Sequence, residues 1–503
     1  MPISKNLPRL VKLLSVMALT ANSISANVTL ATPFASHMVL QRSVTVPVWG
    51  TAAAAEKVTV TFQGQTITTE AAANGKWMLN LDSTGAGGPF ELIVAGANTV
   101  TLTDVMVGEV WIASGQSNMS VTMSSFGGAN LDSAKLADYP NIRLMGMYPS
   151  LSKWHACTPS AALNFSATAY YFALNLHRTL KVPVGIITAA VGGTPVERWM
   201  DDASYKADAI LSQGTGSNDL YKTYVAPLAP FATRGFIWYQ GESNTFPALY
   251  PHYRDRFSAL IKGWRKVWGA GDLYFFFVQL ANCIDVNPGS WPPVREGQRL
   301  SLSVPNTAMA VAIDIGDPND IHPKNKWELG RRLALPARAL IYGETDLVYS
   351  GPMYESNIVR GKTMRLRFRF AETGLVTKNN AKPVGFEIAG ANNTWYAADG
   401  TIDKDTLILS STSVTTPTKV RYAWMNSPPT NLYNGAGLPA SPFTTEGAQL
   451  PVVSIAPGEG LWVDKLRMTP VEKFQIDALG RALEIGKPDS HKPAFNGYGI
   501  RPN

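Results

Sequence analysis

Ser117 stands in Gly115-Gln-Ser-Asn-Met119, a hydroxyl on a tight glycine-containing turn, the usual setting of a serine nucleophile. A serine needs a base. Of the six histidines (His37, His155, His177, His252, His322 and His491), only His322 follows the end of a strand-like run, in Asp314-Ile-Gly-Asp-Pro-Asn-Asp-Ile-His-Pro323. Asp320, Asp317 and Asp314 precede it, and one of them would fix the imidazole tautomer and stabilise the imidazolium, as in a Ser-His-Asp triad. A paired carboxylate favours the imidazolium, so the base is expected to titrate above the ordinary ~6.5. Gly192-Gly-Thr-Pro195 offers the Gly193 N–H with no side chain in the way, and Gln240-Gly-Glu-Ser-Asn244 offers the amides of Gln240 and Asn244. With the N–H of Ser117, these are the candidate oxyanion donors, each contributing about 3–4 kcal/mol. Gln116, Glu242 and Asp317 are candidates for support.

Each motif taken singly has a plainer meaning. A serine after glycine is usually a turn residue, and Asp before Asn-Asp usually caps or turns the chain. Ser243 is a rival nucleophile by local sequence, and Glu242 could be a second carboxylate of glycosidase type. The other five histidines read as surface or satisfied residues, and Trp111, Trp199 and Trp238 as core rather than sugar platforms. Placement is what raises the four motifs above this background. Each begins where an apolar strand-like run ends: Val107 to Ala113, Val184 to Ala190, Gly235 to Tyr239, and Met309 to Ile313. In open parallel sheets ligands bind beyond the carboxyl ends of strands, so four distant segments converge on one place. No Gly-x-Ser-x-Gly elbow occurs, which counts against an ordinary α/β-hydrolase.

The elements that must position these groups follow from periodicity. Residues 27–104 carry short alternating runs, such as Lys57-Val-Thr-Val-Thr-Phe62, and read as a small β-sandwich. Residues 105–349 alternate strands with helical stretches, Ala167 to Leu180 and Tyr250 to Trp268 among them, which predicts a parallel sheet covered on both faces. A helix is expected from Asn325 to Tyr342, with Pro336 kinking or breaking it. Residues 350–446 return to β texture; Thr363-Met-Arg-Leu-Arg-Phe-Arg-Phe370 alternates as a strand with one wet face. The segment 447–503 is Pro- and Gly-rich and carries no clear fold signal.

Composition sets the outer limits. A chain of 503 residues implies about two to four domains, and 45% hydrophobic against 16% charged residues excludes a disordered scaffold. Two cysteines, Cys157 and Cys283, exclude a disulfide framework; two unrelated buried thiols are expected rather than a bridge. Histidine spacing gives no metal site. Lys5, Arg9 and Lys12 precede a short apolar stretch and then small residues to Ala26, the shape of a secretory signal peptide over residues 1–26. Its removal takes three basic and no acidic residues, so the net charge falls from +7 to +4. That mild excess, without a basic stripe, makes nucleic acid a poor partner. The apolar stretch is far shorter than the ~20 residues of a spanning helix, so an exported, soluble protein without membrane insertion is expected, periplasmic or extracellular.

Three segments together resemble a known family. Gly108-Glu-Val-Trp-Ile-Ala-Ser-Gly-Gln-Ser-Asn-Met119, Trp238-Tyr-Gln-Gly-Glu-Ser-Asn244 and Asp320-Ile-His-Pro323 are similar to the sialate O-acetylesterase family of SGNH hydrolases. Val420-Arg-Tyr-Ala-Trp424 and Gly437-Leu-Pro-Ala-Ser-Pro-Phe443 are similar as well. The resemblance implies a flavodoxin-like three-layer α/β/α core flanked by two β-rich domains, and no metal or other cofactor. It implies Ser117 as nucleophile, His322 as base with Asp320 orienting it, and Gly193 with the Gln240–Asn244 segment as the oxyanion site. Broader SGNH hydrolases carry an acid three residues before the histidine, where this chain has Asn319. The implied activity is removal of O-acetyl groups from glycans, either sialic acid or plant hemicellulose such as xylan or xyloglucan. A general short-chain esterase and a glycan-binding protein with an inactive core are the alternatives.

Overall fold

A computed structural model describes residues 27–147, 152–214, 216–284 and 290–446, and the short strands 453–454, 475–476 and 482–483. The expected signal peptide and most of the 447–503 tail lie outside the described residues. The chain divides into two units, Met1–Ser454 and Ile455–Asn503; in the second the described residues are one antiparallel pair, Gln475–Ile476 with Ala482–Leu483.

Six parallel strands form the middle of the first unit: β1 (Thr99–Gly115), β2 (Tyr139–Gly146), β3 (Val184–Ala190), β4 (Gly235–Tyr239), β5 (Tyr274–Gln279) and β6 (Thr307–Val311). Their order across the sheet is β2-β3-β1-β4-β5-β6. Every residue of β3 and β4 is buried, which is why these strands read as short continuous apolar runs rather than alternating ones.

Helices cover both faces. Side chains alternate across a strand, so Phe276 and its neighbours Phe275 and Phe277 point opposite ways. Phe276 lies 5.5 Å from Trp111, which in turn meets Phe172 of helix α2 (Ala167–Leu180). Phe275 and Phe277 instead meet Phe257 of helix α3 (Tyr253–Trp268), at 5.9 and 5.0 Å. In α3 the buried Tyr253, Phe257, Leu260, Ile261, Trp264 and Trp268 recur at helical spacing, and Gly269 closes it in the left-handed conformation. Helix α4 (Trp291–Leu300) packs beside α3, and helix α5 (Lys326–Leu340) beside α2, where Gly330 sits directly against Tyr171. Asn325 caps α5 by accepting from the Glu328 N–H at 3.1 Å, and the helix runs on through Pro336 rather than ending there.

The N-terminal strands form two groups. Thr29–Leu30, Val46–Thr51 and Lys76–Leu81 make one sheet, while Lys57–Phe62, Gln65–Glu70 and Gly87–Ala95 join the amino half of β1. Position 104, where the sequence texture changes, therefore lies inside a strand. Up to Thr103 every other residue of β1 faces solvent, and from Val105 all are buried, so the pattern changes while the strand continues. The C-terminal region builds a five-stranded and a four-stranded sheet around a core of its own, including Met364, Leu366, Leu407, Ile388, Tyr422 and Phe443. Its loop at Met425 and Asn426 is held by the fully buried Arg295 of α4, which donates to both carbonyls at 2.8 Å.

Glu109, fully buried in the middle of β1, receives Arg42 Nε at 2.6 Å, Arg234 Nε at 2.9 Å, Gln41 Nε2 at 3.0 Å and the Tyr342 hydroxyl at 2.9 Å. Burial would raise its pKa, but the two guanidinium groups outweigh burial and hold the carboxyl below its usual range. This contribution to stability is present above the unfolded value of about 4.3 and is lost as pH falls through the lower folded one. Glu109→Gln leaves two guanidinium groups without their counter-charge and is expected to cost about 3–5 kcal/mol, read as a lower urea midpoint at pH 7.

Candidate active site

All four motifs meet at the point where the strand order reverses, between β3 and β4 at the end of β1. The turn after β1 is stitched to both neighbours: Gln116 N–H donates to Tyr239 O at 3.0 Å, and Val191 N–H to Gly115 O at 3.1 Å. Gly115 has φ +136°, and a Cβ there would lie 2.1 Å from Tyr239 O, so only glycine lets the chain turn at this spot. Ser117 then opens a four-residue helix, α1 (Ser117–Ser120), and stays partly exposed. The Gly192–Gly193 loop passes beside it, with the Cβ direction of Gly192 3.4 Å from Ser117 Cβ. Asn118 Nδ2 reaches Ile321 O at 3.0 Å and Glu242 Oε1 at 2.6 Å, which brings in the remaining two motifs.

Two backbone donors stand open. The N–H groups of Ser117 and Gly193 bond to no acceptor among the described residues, and Gly193, at φ +69°, has open space where a side chain would be. The side-chain amides behave differently. Asn244 Nδ2 donates to both oxygens of Glu197, at 3.1 and 3.0 Å, while its Oδ1 accepts from Val196 N–H at 2.8 Å. Gln240 Nε2 faces three acceptors: Asn244 Oδ1 at 2.6 Å, Thr194 O at 3.2 Å and Gln116 Oε1 at 3.3 Å. Both amides are thus engaged by the chain itself. Gln240 and Asn244 brace the Gly192–Thr194 loop from behind, together with Gln116, whose Oε1 also accepts the Ser243 N–H at 3.1 Å.

His322 is half-buried. Its Nε2 is shut off from solvent and has no partner among the described residues; its Nδ1 lies 3.6 Å from Asp320 Oδ1. That same oxygen accepts the backbone N–H of His322 at 2.9 Å, so Asp320 is the carboxylate beside the imidazole but shapes the loop as well. Asp317 accepts the Asn319 N–H at 2.9 Å, a turn-forming bond. Asp314 holds no backbone N–H groups of its loop, contrary to the simplest expectation for an acid at a strand end. It forms a bidentate pair with Arg332 of α5, at 2.6 and 2.9 Å, because a fully formed guanidinium fork arrives from the helix packed above it. Trp111, Trp199 and Trp238 are completely buried core residues, and Cys157 and Cys283 are buried and form no disulfide with each other.

One residue of the site carried no signal of its own in the sequence. Lys326 is fully buried, with Nζ 2.6 Å from Asn118 Oδ1 and lying over the rings of Phe126 and Tyr239. Asn118 thereby joins Lys326, Glu242 and the His322 loop through one amide. Burial raises the carboxyl of Glu242, and burial lowers the Lys326 ammonium to about 7. Lys326 lies four residues after His322, inside the helix expected from Asn325, and nothing in its neighbours marks it as buried. Burial also lowers His322, reinforced by Lys326 and only partly offset by Asp320, which reverses the upward shift expected from a paired carboxylate.

Comparisons with known proteins give the family. The family model described as carbohydrate esterase, sialic acid-specific acetylesterase matches residues 107–338, so the class is that of the carbohydrate esterases. A sialate O-acetylesterase of Homo sapiens is 31% identical over 487 residues, covering 82% of this chain and 92% of that protein. The one from Pongo abelii is 30% identical over the same length. Among solved structures, a carbohydrate acetylesterase from Xanthomonas citri matches with a TM-score of 0.78 and 38% identity, over 83% of this chain and 99% of that one. The chain belongs to the sialate O-acetylesterase family.

If His322 is the base, activity should persist to a pH below ~6.5 before falling through one protonation, because the imidazolium is disfavoured here. A kcat/KM profile with an acid limb above 7 would contradict this. The three acids should separate: Asp320→Asn should lower kcat by roughly tenfold or more with little change in KM. Asp317→Asn should do little, and Asp314→Asn should lower the melting temperature more than the rate, since it removes one of the two carboxylates that hold the buried Arg332.

Proposed function

We propose that the protein is an exported serine carbohydrate O-acetylesterase with a flavodoxin-like three-layer α/β/α SGNH core flanked by two β-rich domains. The observation that carries the mechanistic reading is the bond from Asn118 to Ile321 O, because it seats the residue after the candidate nucleophile against the residue before the candidate base. Export is read from residues 1–26, and no helix among the described residues is long and apolar enough to cross a membrane.

In this reading Ser117 Oγ attacks the acetyl carbonyl carbon while His322 Nε2 takes the hydroxyl proton. The N–H groups of Ser117 and Gly193 receive the developing oxyanion, at about 3–4 kcal/mol each, with Gln240 and Asn244 fixing the loop that carries Gly193. The C–O bond to the sugar breaks, and the sugar oxygen leaves with the proton from His322. Water, deprotonated by the same histidine, then attacks the acetyl-serine and releases acetate and free Ser117. Asp320 steadies the imidazolium that forms in both halves. The sequence relatives are sialate O-acetylesterases and the structural relative a carbohydrate acetylesterase, which makes an O-acetylated sugar the substrate to test.

The test is acetate release from O-acetylated sialic acid, acetylated xylan and acetylated xyloglucan, measured side by side. Turnover on at least one is expected, with Ser117→Ala lowering kcat by roughly 10³-fold or more and Ser243→Ala far less. Turnover of p-nitrophenyl acetate alone would point to a general short-chain esterase. Binding of acetylated glycan without any turnover would point to a binding protein.

A further inference from the structure

Lys326 has no part in the acyl transfer just described, yet it is a fully buried charge at the start of α5. Long ammonium side chains normally reach water; this one ends on Asn118 Oδ1 at 2.6 Å, with the rings of Phe126 and Tyr239 at 5.1 and 5.4 Å. The nitrogen of the same amide donates to Glu242 Oε1 at 2.6 Å and to Ile321 O at 3.0 Å. Glu242 is buried too, and its Oε2 has no partner among the described residues. A cation and a carboxylate thus face each other through one side-chain amide whose two ends they fix by opposite charge. Turning the amide over would set NH2 against ammonium and carbonyl against carboxylate. Asn118 follows Ser117 and Ile321 precedes His322, so this amide spans the two segments whose spacing governs proton transfer.

We infer that Lys326 is a positioning residue for the deacetylation reaction: through Asn118, and opposite Glu242, it locks the His322 loop onto the Ser117 turn and holds a positive charge beside the imidazole. The inference rests on the acyl-transfer reading above. The charged groups facing His322 are Lys326 from α5 and Asp320 from its own loop, with Glu242 reaching it only by way of Asn118. Those facing Lys326 are Glu242, from the turn after β4, and Asp320. A cation beside the imidazole disfavours the imidazolium, so the neutral base survives to lower pH while Lys326 is charged. Removing the charge moves the acid limb upward.

Lys326→Met alone strands the Glu242 carboxylate, so the informative variant is Lys326→Met/Glu242→Gln, which removes both charges and leaves an acceptor for Asn118 Nδ2. Lys326→Gln/Glu242→Gln, which keeps a donor for Asn118 Oδ1, is measured beside it and carries the test if the first double variant does not fold. With O-acetylated sialic acid or acetylated xylan, whichever is turned over, kcat should fall at least about tenfold at about pH 6.5, where the Lys326 ammonium is mostly charged, with KM changed less than about twofold. The acid limb of kcat should rise by roughly 0.5 unit or more. Wild-type kcat with an unmoved limb, in a protein whose Ser117→Ala form is inert, overturns the inference and leaves the acyl-transfer reading standing. A lower rate with the limb unmoved assigns Lys326 to folding alone and overturns it as well. Full activity in Ser117→Ala overturns both.

Discussion

Strand β1 is paired along its carboxyl half on both edges, parallel to β3 on one side and to β4 on the other. A chain leaving a strand so enclosed has little room, and the crowding of Gly115 against Tyr239 O allows a single direction of exit. The whole candidate site hangs from that exit. The serine comes two residues later, and the loops after β3 and β4 arrive beside it because their strands are its neighbours. Only the His322 loop comes from further away, after the outermost strand β6, and it is the one that needs a dedicated side-chain bond, from Asn118, to reach the others.

Polar groups behind the site divide into two kinds. Glu197, Asn244, Gln240 and Gln116 form a chain of bonds beneath the Gly193 loop, with Arg256 closing it on Glu197. Such a network is stiff, since a buried donor without an acceptor costs roughly 1–3 kcal/mol. The second kind is left incomplete: His322 Nε2, Glu242 Oε2 and Gln240 Oε1 are enclosed and have no partner among the described residues. His322 Nε2 and Glu242 Oε2 belong to residues of the candidate site, and each carries a buried polar atom whose bonding is left open.

How much of this was legible in the sequence depended on whether a residue advertises its surroundings. The strands β3 and β4 are short apolar runs ended by polar, glycine-containing turns, and α3 repeats its aromatics at helical spacing, so the frame and the convergence of four motifs could be read directly. Strand β2 and helix α4 could not. Buried Arg143 interrupts the first, and Arg295, Glu296 and Gln298 are buried in the second, so polar letters stand where the core lies. The same blindness hid Lys326, and it made Asn244 look like a free donor when Glu197, far away in sequence, occupies it. Which carboxylate lies beside the histidine was similarly a matter of partners: Arg332 claims Asp314, and only the folded chain brings the two together.

The run of β1 through both the amino-terminal sheet and the central one also sets an order of events in time. Its amino half can pair with residues 87–95 as soon as a hairpin forms, a local contact made quickly. Its carboxyl half must wait for residues 184–190 and then 235–239, and the His322 loop for residues later still. During synthesis the first sheet therefore presents a half-finished edge, apolar from Val105 onward, for as long as the ribosome takes to deliver the rest. That exposed edge is the stretch a holding chaperone would need to cover until the last strands have been made.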